Sequence, residues 1–142
     1  MKSQALLTDV MATKDMEGGY DYYVEKDGLR YAGTHLLIDL IGASCLNELT
    51  IVEDALRRAI AATGATLLNL ELHHFSSQGG ISGVAILAES HMSIHTWPET
   101  SFAAVDIFLC GHCDAYQAIP ILRDIFQPDS VQVSEHKRGL VT

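Results

Sequence analysis

The chain has 142 residues, of which 48% are hydrophobic and 19% charged, and its formal net charge is −9 at pH 7. This length suits one domain with its own core, and the hydrophobic fraction excludes a wholly disordered chain. The acidic charge excludes nucleic acid and anionic membranes as expected partners, because clustered Lys and Arg are needed to neutralise phosphates.

The sequence shows no membrane-spanning stretch and no export signal. No apolar run reaches the ~18 residues that a transmembrane helix needs, and residues 1–20 lack the apolar centre of a signal peptide. The three cysteines cannot all pair with one another. We therefore expect a cytoplasmic protein with reduced thiols.

Residues 1–32 differ in composition from the rest of the chain, since they are polar and mixed in charge. Gly18-Gly19 and Asp27-Gly28 are turn signals within this segment. We expect a flexible N-terminal tail over 1–32, ending in a short hairpin around Asp27-Gly28, and a single domain over 33–142.

From Gly33 onward, hydrophobic periodicity predicts an alternation of strands and helices. Gly64 is placed to end the first helix, and Asp114 to cap the second, whose early turns contain Pro120. The predicted strands are 35–41, 66–74, 82–89, 92–95, 103–109 and 131–136, and the predicted helices are 50–63 and 115–126.

This order, condensed to β-α-β-β-β-α-β with 92–95 only a candidate strand, predicts an α+β fold. We expect a two-layer sandwich in which an antiparallel sheet carries two helices on one face. Period two in strand 66–74 places Leu68, Leu70 and Leu72 under the helices and the residues between them on the second face. That second face is predicted to pair with another copy, since two-fold dimers are the commonest oligomers.

The first motif with chemical potential is Cys110-Gly111-His112-Cys113. A CxxC after a strand and before a helix is how thiol–disulfide oxidoreductases present their nucleophile. Too little chain follows Cys113 for the remainder of such a domain, and Pro120 and Pro128 lie in or beside a helix. One CxxC also supplies only two ligands to zinc. Both interpretations are therefore disfavoured.

The second motif is residues 89–99, ESHMSIHTWPE, which hold two serines, two histidines, two glutamates and the only tryptophan. One interpretation is a serine hydrolase, with Ser90 as nucleophile and a histidine as base. However, no G-x-S-x-G elbow surrounds Ser90, and 142 residues leave little room for that fold.

The same segment resembles the short prokaryotic S-adenosylmethionine decarboxylase proenzymes. The resemblance rests on GISGVAILAESHMSIHTWPE, with LHHF upstream and VDIFLCG downstream, and it extends from about Gly33 to Leu140. It implies an enzyme that cleaves itself between Glu89 and Ser90 into chains 1–89 and 90–142. It also implies a homodimer of cleaved protomers that decarboxylates S-adenosylmethionine, a small-molecule substrate, for spermidine biosynthesis.

The resemblance also implies roles for individual residues. Ser90 becomes a covalent pyruvoyl group that forms a Schiff base with the substrate, so neither a metal nor pyridoxal phosphate is expected. His95 serves as the base for cleavage, Ser82 stabilises the oxyanion, and Cys110 donates the proton that replaces carbon dioxide. Three further positions match residues that bind substrate: Phe75, Trp97 and Glu99.

Two segments depart from the family pattern. The stretch after Phe75 reads SSQGGISG, where many relatives have a proline and one residue fewer, and TSFAA follows Glu99. Since both are expected to border the substrate, an arginine or ornithine decarboxylase with the same pyruvoyl chemistry is the alternative. The alternative from another class is a non-cleaving, non-catalytic homologue that acts as a partner subunit.

Overall fold

A computed structural model describes residues 23–141. Of the preceding residues, it describes only the backbone of two short strands that pair with each other, β1 (Thr13–Lys14) and β2 (Tyr20–Asp21). Most of the segment predicted to be a flexible tail therefore lies outside the described residues.

The last part of that segment belongs to a hairpin of the main sheet. Strand β3 (Val24–Lys26) pairs with the start of β4 (Leu29–Ile41). Asp27 and Gly28 join them with φ values of 54° and 77°, and such positive values at both positions suit a two-residue hairpin turn. The hairpin expected around Asp27-Gly28 is therefore present, and the sheet begins before residue 33.

Four strands separate the two helices, whereas the order predicted from the sequence, β-α-β-β-β-α-β, has only three there. Residues 92–95, treated as a short candidate, are the centre of a full strand that starts at Ser90. The elements after β4 are α1 (Leu49–Thr63), β5 (Leu67–His74), β6 (Ile81–Leu87), β7 (Ser90–Trp97), β8 (Phe102–Cys110), α2 (Ala118–Phe126) and β9 (Ser130–Leu140).

β3 to β9 form one antiparallel sheet. Its order is β9-β4-β8-β7-β6-β5, and β3 lies beside the start of β4. Tyr31 pairs with Val24 and also with Leu140, so β3 and β9 flank β4 from opposite sides. β4, β8 and β7 are consequently the centre of the sheet, and β5 and β9 are its edges.

Both helices pack on the same face of this sheet, as predicted. Leu56 of α1 and Phe126 of α2 are fully buried in one hydrophobic cluster with Ile38, Ile94 and Val105 of the sheet. Gly64 ends α1 with φ 87°, and the carboxylate of Asp114 accepts a hydrogen bond from the N–H of Tyr116 in the short 3₁₀ turn that leads into α2. Within residues 23–141, neither helix is long and apolar enough to cross a membrane.

The prediction for Leu68 is wrong. The pairing of β5 with β6 shifts between Leu67 and Asn69, so a bulge changes the alternation of side chains at this point. Leu68 is 63% exposed, whereas Leu67, Leu70 and Leu72 pack against the core. The alternation of side chains in β5 cannot reveal a bulge by itself, because the bulge is defined by how β5 pairs with β6.

The face of the sheet that points away from the helices is called the open face below. It carries exposed apolar side chains on three strands: Leu37, Val84, Ile86 and Trp97 are between 37% and 50% exposed. The registers also place five of the seven histidines on this face: His35, His73, His91, His95 and His136. A face with this mixture of exposed apolar and titratable groups is unusual for a surface that only meets water.

Candidate active site

The reactive run of the sequence lies on the β6–β7 hairpin. Ala88 and Glu89 form its two-residue connection, and Ser90 begins β7 opposite Leu87. Glu89 has φ 64°, a left-handed conformation that costs an L-residue about 1–2 kcal/mol. The peptide between Glu89 and Ser90 is therefore held in strained geometry.

Cys110, at the end of β8, contacts both residues of that peptide. Its thiol donates a hydrogen bond to the Glu89 carbonyl oxygen at 3.0 Å, and its backbone N–H donates to Ser90 Oγ at 3.1 Å. Burial raises the pKa of the Cys110 thiol, although the hydrogen bond with Ser90 opposes that shift. The thiol thus keeps its proton at neutral pH. We call Glu89, Ser90 and Cys110 the Ser90 end of the site.

Ser82 and His95 form a second pair, on the open face. Ser82 Oγ lies 2.9 Å from His95 Nδ1, and the two residues are direct cross-strand neighbours on β6 and β7. This pair is separated from the Leu87–Ser90 pair by five positions along the hairpin, about 17 Å at the usual rise of a strand. Within one protomer, the structure therefore does not bring His95 to Ser90.

Phe75, Trp97 and Glu99 lie with the Ser82–His95 pair, and together they are called the His95 end. Trp97 stacks on Phe102 with ring centroids 5.3 Å apart, and Phe75 meets His73 edge-on at 4.5 Å. Phe75 is 66% exposed, and Glu99 is exposed in the 3₁₀ turn that follows Trp97. The predicted site residues thus fall into two groups at opposite ends of one hairpin.

Thr96 supports the His95 end, a role that was not predicted from the sequence. It is 5% exposed, and its hydroxyl donates to the Leu46 carbonyl at 2.8 Å while accepting from the Ile81 N–H at 2.8 Å. This hydroxyl joins the start of β6 and the loop before α1 to β7. A threonine in a strand is so common that only the contacts identify its function.

The CGHC segment does not have the geometry of a redox site. Neither cysteine lies in a helix, and burial raises the pKa of Cys113 to about 11, whereas a reactive thiol needs a lowered pKa. A cavity of about 490 Å³ lies between this segment and the β3–β4 hairpin, but none of the predicted site residues lines it. In the described part of the chain, no cluster of His, Cys, Asp or Glu is arranged to hold a metal ion.

The fold and the matching family model define the chain as an enzyme of the decarboxylase class. The model, described as S-adenosylmethionine decarboxylase, matches residues 34–139. The chain belongs to the S-adenosylmethionine decarboxylase family, in agreement with the resemblance found in the sequence.

Individual relatives agree with this assignment. The chain is 45% identical to an S-adenosylmethionine decarboxylase proenzyme of Thermomicrobium roseum, over 80% of this chain and 98% of the relative. It is also 45% identical to a proenzyme of the same name from Methanococcus vannielii, over 80% and 94%. The crystal structure of the adenosylmethionine decarboxylase from Aquifex aeolicus matches 79% of this chain and 94% of its own, with 32% identity and a TM-score of 0.70.

Proposed function

We propose that this chain is the self-cleaving precursor of a pyruvoyl-dependent decarboxylase that acts on S-adenosylmethionine. The observation that carries the proposal is the double contact of Cys110, which holds the Ser90 hydroxyl and the Glu89 carbonyl across a strained peptide. The substrate follows from the names of the relatives, and the reaction follows from the chemistry that this arrangement permits.

Cleavage begins with attack of Ser90 Oγ on the carbonyl carbon of Glu89. Because the Cys110 thiol donates to that carbonyl oxygen, it can stabilise the negative charge that develops there. Ser82, to which the resemblance gives this role, lies at the His95 end and could reach the carbonyl only from a second copy. The C–N bond then breaks and the peptide becomes an ester. Removal of the Ser90 Cα proton expels the Glu89 carboxylate, and water displaces the nitrogen as ammonia, which leaves a pyruvoyl group at position 90.

The group formed at position 90 supplies a ketone that draws electrons from the substrate's α-carbon as carbon dioxide leaves. Cys110 lies against this position through both of its hydrogen bonds. Since the raised pKa keeps its thiol protonated at neutral pH, Cys110 can deliver the proton that replaces the carboxyl group.

The base for the Cα proton must come from elsewhere, because His95 of the same protomer is about 17 Å from Ser90. We assign it to a second copy of the chain. Two protomers that pack open face to open face about a two-fold axis, with their β6–β7 hairpins antiparallel, place each His95 end against the other's Ser90 end. The exposed apolar side chains of the open face support this contact.

The same assembly brings substrate-binding groups to position 90. The Trp97 and Phe75 rings of one protomer can stack on adenine and attract a sulfonium ion, and Glu99 can accept hydrogen bonds from ribose hydroxyls. All three are exposed in the single chain, so they are free to line a cleft between two copies. The product is the aminopropyl donor for spermidine synthesis.

Two measurements test the proposal. Intact-mass spectrometry of the purified chain should give two fragments divided between Glu89 and Ser90, the second with a keto group in place of an amine. Ser90→Ala should remain a single chain, whereas Ser93→Ala, on the same strand, should still be cleaved. A wild-type chain that stays whole under native conditions would contradict the proposal.

The second measurement is the release of labelled carbon dioxide from S-adenosylmethionine, arginine and ornithine in parallel. Release from S-adenosylmethionine alone is expected. Release from arginine or ornithine alone would retain the reaction type but replace the substrate. No release from any of them by a cleaved chain would contradict the proposed activity, whereas an uncleaved chain that releases none would favour the non-cleaving, non-catalytic homologue.

A further inference from the structure

We infer that Arg138 binds the α-carboxylate of the amino-acid substrate and that His35 positions it to do so. This inference rests on the proposed pyruvoyl chemistry, but it holds for any α-amino acid substrate, because each carries the same carboxylate.

Arg138 begins at the edge of the sheet but extends over its centre. It belongs to the edge strand β9, and its guanidinium lies 3.0 Å from Nδ1 of His35, on β4. His35 in turn contacts the rings of Phe108 and His91, with centroids 5.8 and 6.0 Å away, and His91 directly follows Ser90. The guanidinium therefore extends from the edge toward the centre of the sheet and lies two residues along β4 from the Gly33–Cys110 pair.

The contact fixes the protonation of His35. A guanidinium can only donate hydrogen bonds, so Nδ1 of His35 must accept and the ring proton must sit on Nε2. Nε2 faces a carboxylate oxygen of Asp106 at 3.8 Å. Burial is the largest influence on His35 and lowers its pKa, so the ring is neutral at pH 7. A neutral His35 can hold the guanidinium without competing for an anion.

The strand register places Arg138 and the Cys110 thiol in one row. Gly33 pairs with Arg138 on one side and with Cys110 on the other, so the two backbones are about 10 Å apart across β4. A Cβ at Gly33 would lie 2.8 Å from the Phe108 ring. The edge of the Phe108 ring thus occupies the space that a Gly33 side chain would fill, and no β4 side chain stands between the cation and the thiol.

Arg138 is also the cation available to an anion at this position. Strands β5 to β8 contain no Lys or Arg, and they carry all the predicted site residues apart from Phe75, Glu89 and Glu99 in adjoining turns. Arg30 of β4 pairs with Glu25 at 3.6 Å, whereas Arg138 has no ion pair with a carboxylate among residues 23–141. In a chain of net charge −9, an arginine without such a partner is a reason to look for an anionic ligand.

The expected contribution is to substrate binding. The carboxylate is present in the bound substrate and as its C–C bond begins to break, but it is lost as carbon dioxide. A cation on it therefore stabilises the bound substrate and the reacting state about equally and the product not at all. Removal of that cation should therefore raise KM and leave kcat nearly unchanged.

The test compares Arg138→Gln with wild type, with Arg138→Lys as the conservative variant and Arg123→Gln, exposed on α2, as the control. We measure KM and kcat for the substrate and the inhibition constant of the decarboxylated product. Arg138→Gln should raise KM about ten- to a hundredfold, as expected for a lost charged hydrogen bond, without changing product inhibition. Arg138→Lys should recover part of the loss, and Arg123→Gln should match wild type.

Three outcomes would overturn the inference: an unchanged KM, an equal rise in the product inhibition constant, or conversion of a dimer to monomers in sedimentation. If Arg138→Gln is not cleaved, calorimetry of substrate and product in the Ser90→Ala background makes the same comparison. If the wild-type chain decarboxylates no amino acid, both the proposed function and this inference are wrong. If the wild-type chain is active and one of the three outcomes above is observed, only the inference about Arg138 is wrong.

Discussion

The two ends of the β6–β7 hairpin differ in almost every physical respect. The Ser90 end is half-buried, contains a residue with positive φ, and is held by hydrogen bonds from one cysteine. The His95 end is exposed, rich in aromatic rings and built on regular strand geometry. In the proposed reaction, the first end has the bond to be broken and the second has the base, so neither end of one protomer would be a complete site.

Residues that are close in the sequence of this hairpin are not necessarily close in space. His95 follows Ser90 by five residues, a spacing that suggests proximity when read as a motif. In a helix, such residues would lie about 7.5 Å apart along the axis, but in a strand the separation is about 17 Å. Under the proposed function, the density of reactive residues in one segment therefore reflects two half-sites rather than one site.

The largest expected effect comes from disabling the two ends in different chains. Ser90→Ala and His95→Ala should each abolish cleavage when expressed alone. Co-expressed, they should form mixed dimers with one intact site, so about a quarter of all sites should recover at equal mixing. Intact-mass spectrometry and carbon dioxide release measure the recovery.

The control for that experiment places both changes at the same end. Ser82→Ala with His95→Ala should restore nothing, because every mixed dimer lacks a complete His95 end at each site. Normal cleavage of His95→Ala alone, or equal recovery in both mixtures, would contradict the division between the two ends.

The next effect tests the Ser90 end alone. Cys110→Ala removes the S–H that donates to the Glu89 carbonyl, and loss of one such donor typically slows a reaction about 10²–10³-fold. A time course of cleavage by mass spectrometry measures the rate. Cys113→Ala serves as the matched variant and should cleave at nearly the wild-type rate; an equal effect of both changes would show that the loop, rather than the thiol, matters.

A smaller effect should appear in the stability of the His95 end. Thr96→Val deletes the hydroxyl that bridges Leu46 and Ile81, leaving a buried carbonyl and N–H without that partner. The free energy of unfolding should fall by about 2 kcal/mol. Urea denaturation in the Ser90→Ala background measures it on an uncleaved chain. Thr100→Val, at an exposed position, should change stability little, and an equally small change for Thr96→Val would contradict the bridge.

The smallest expected effect is the pH dependence of stability near the Ser90 end. Because burial lowers the pKa of His35 below its ordinary 6.5, the unfolded chain binds this proton more tightly than the folded chain. Stability should therefore fall as the pH drops through about 6.5. In the uncleaved Ser90→Ala background, urea midpoints at about pH 7.5 and 5.5 should differ less with His35→Gln than without it. An unchanged difference would assign the acid sensitivity to another group, such as His112, whose pKa is also lowered by burial.

Much of the fold could be predicted from the sequence because its signals are local. Gly64 and Asp114 act within one turn of the helices they bound, and the alternation in β8 reports burial directly. The bulge at Leu68 and the full length of β7 could not be read, since both depend on pairing with a neighbouring strand.

The candidate site residues could be identified from the sequence, but their arrangement in space could not. The run around Ser90 stands out because of its reactive side chains, and the family resemblance attached roles to them. The separation of His95 from Ser90 depends on the register of one hairpin. The placement of Arg138 across β4 from Cys110 depends on two registers and on the missing side chain of Gly33, so no local pattern connects these two residues.

The two-residue connection at Ala88-Glu89 has a consequence for how the molecule folds and refolds. A cut after Glu89 would leave the end of β6 and the beginning of β7 still held by β5 and β8, so the sheet could keep its shape. Once denatured, however, the halves would have to find each other by diffusion, and refolding would become concentration-dependent. In the uncut chain the two halves are covalently joined, so they meet by intramolecular loop closure. Such a protein is formed by a folding reaction that it cannot repeat unaided, and its lifetime is set by how slowly it unfolds.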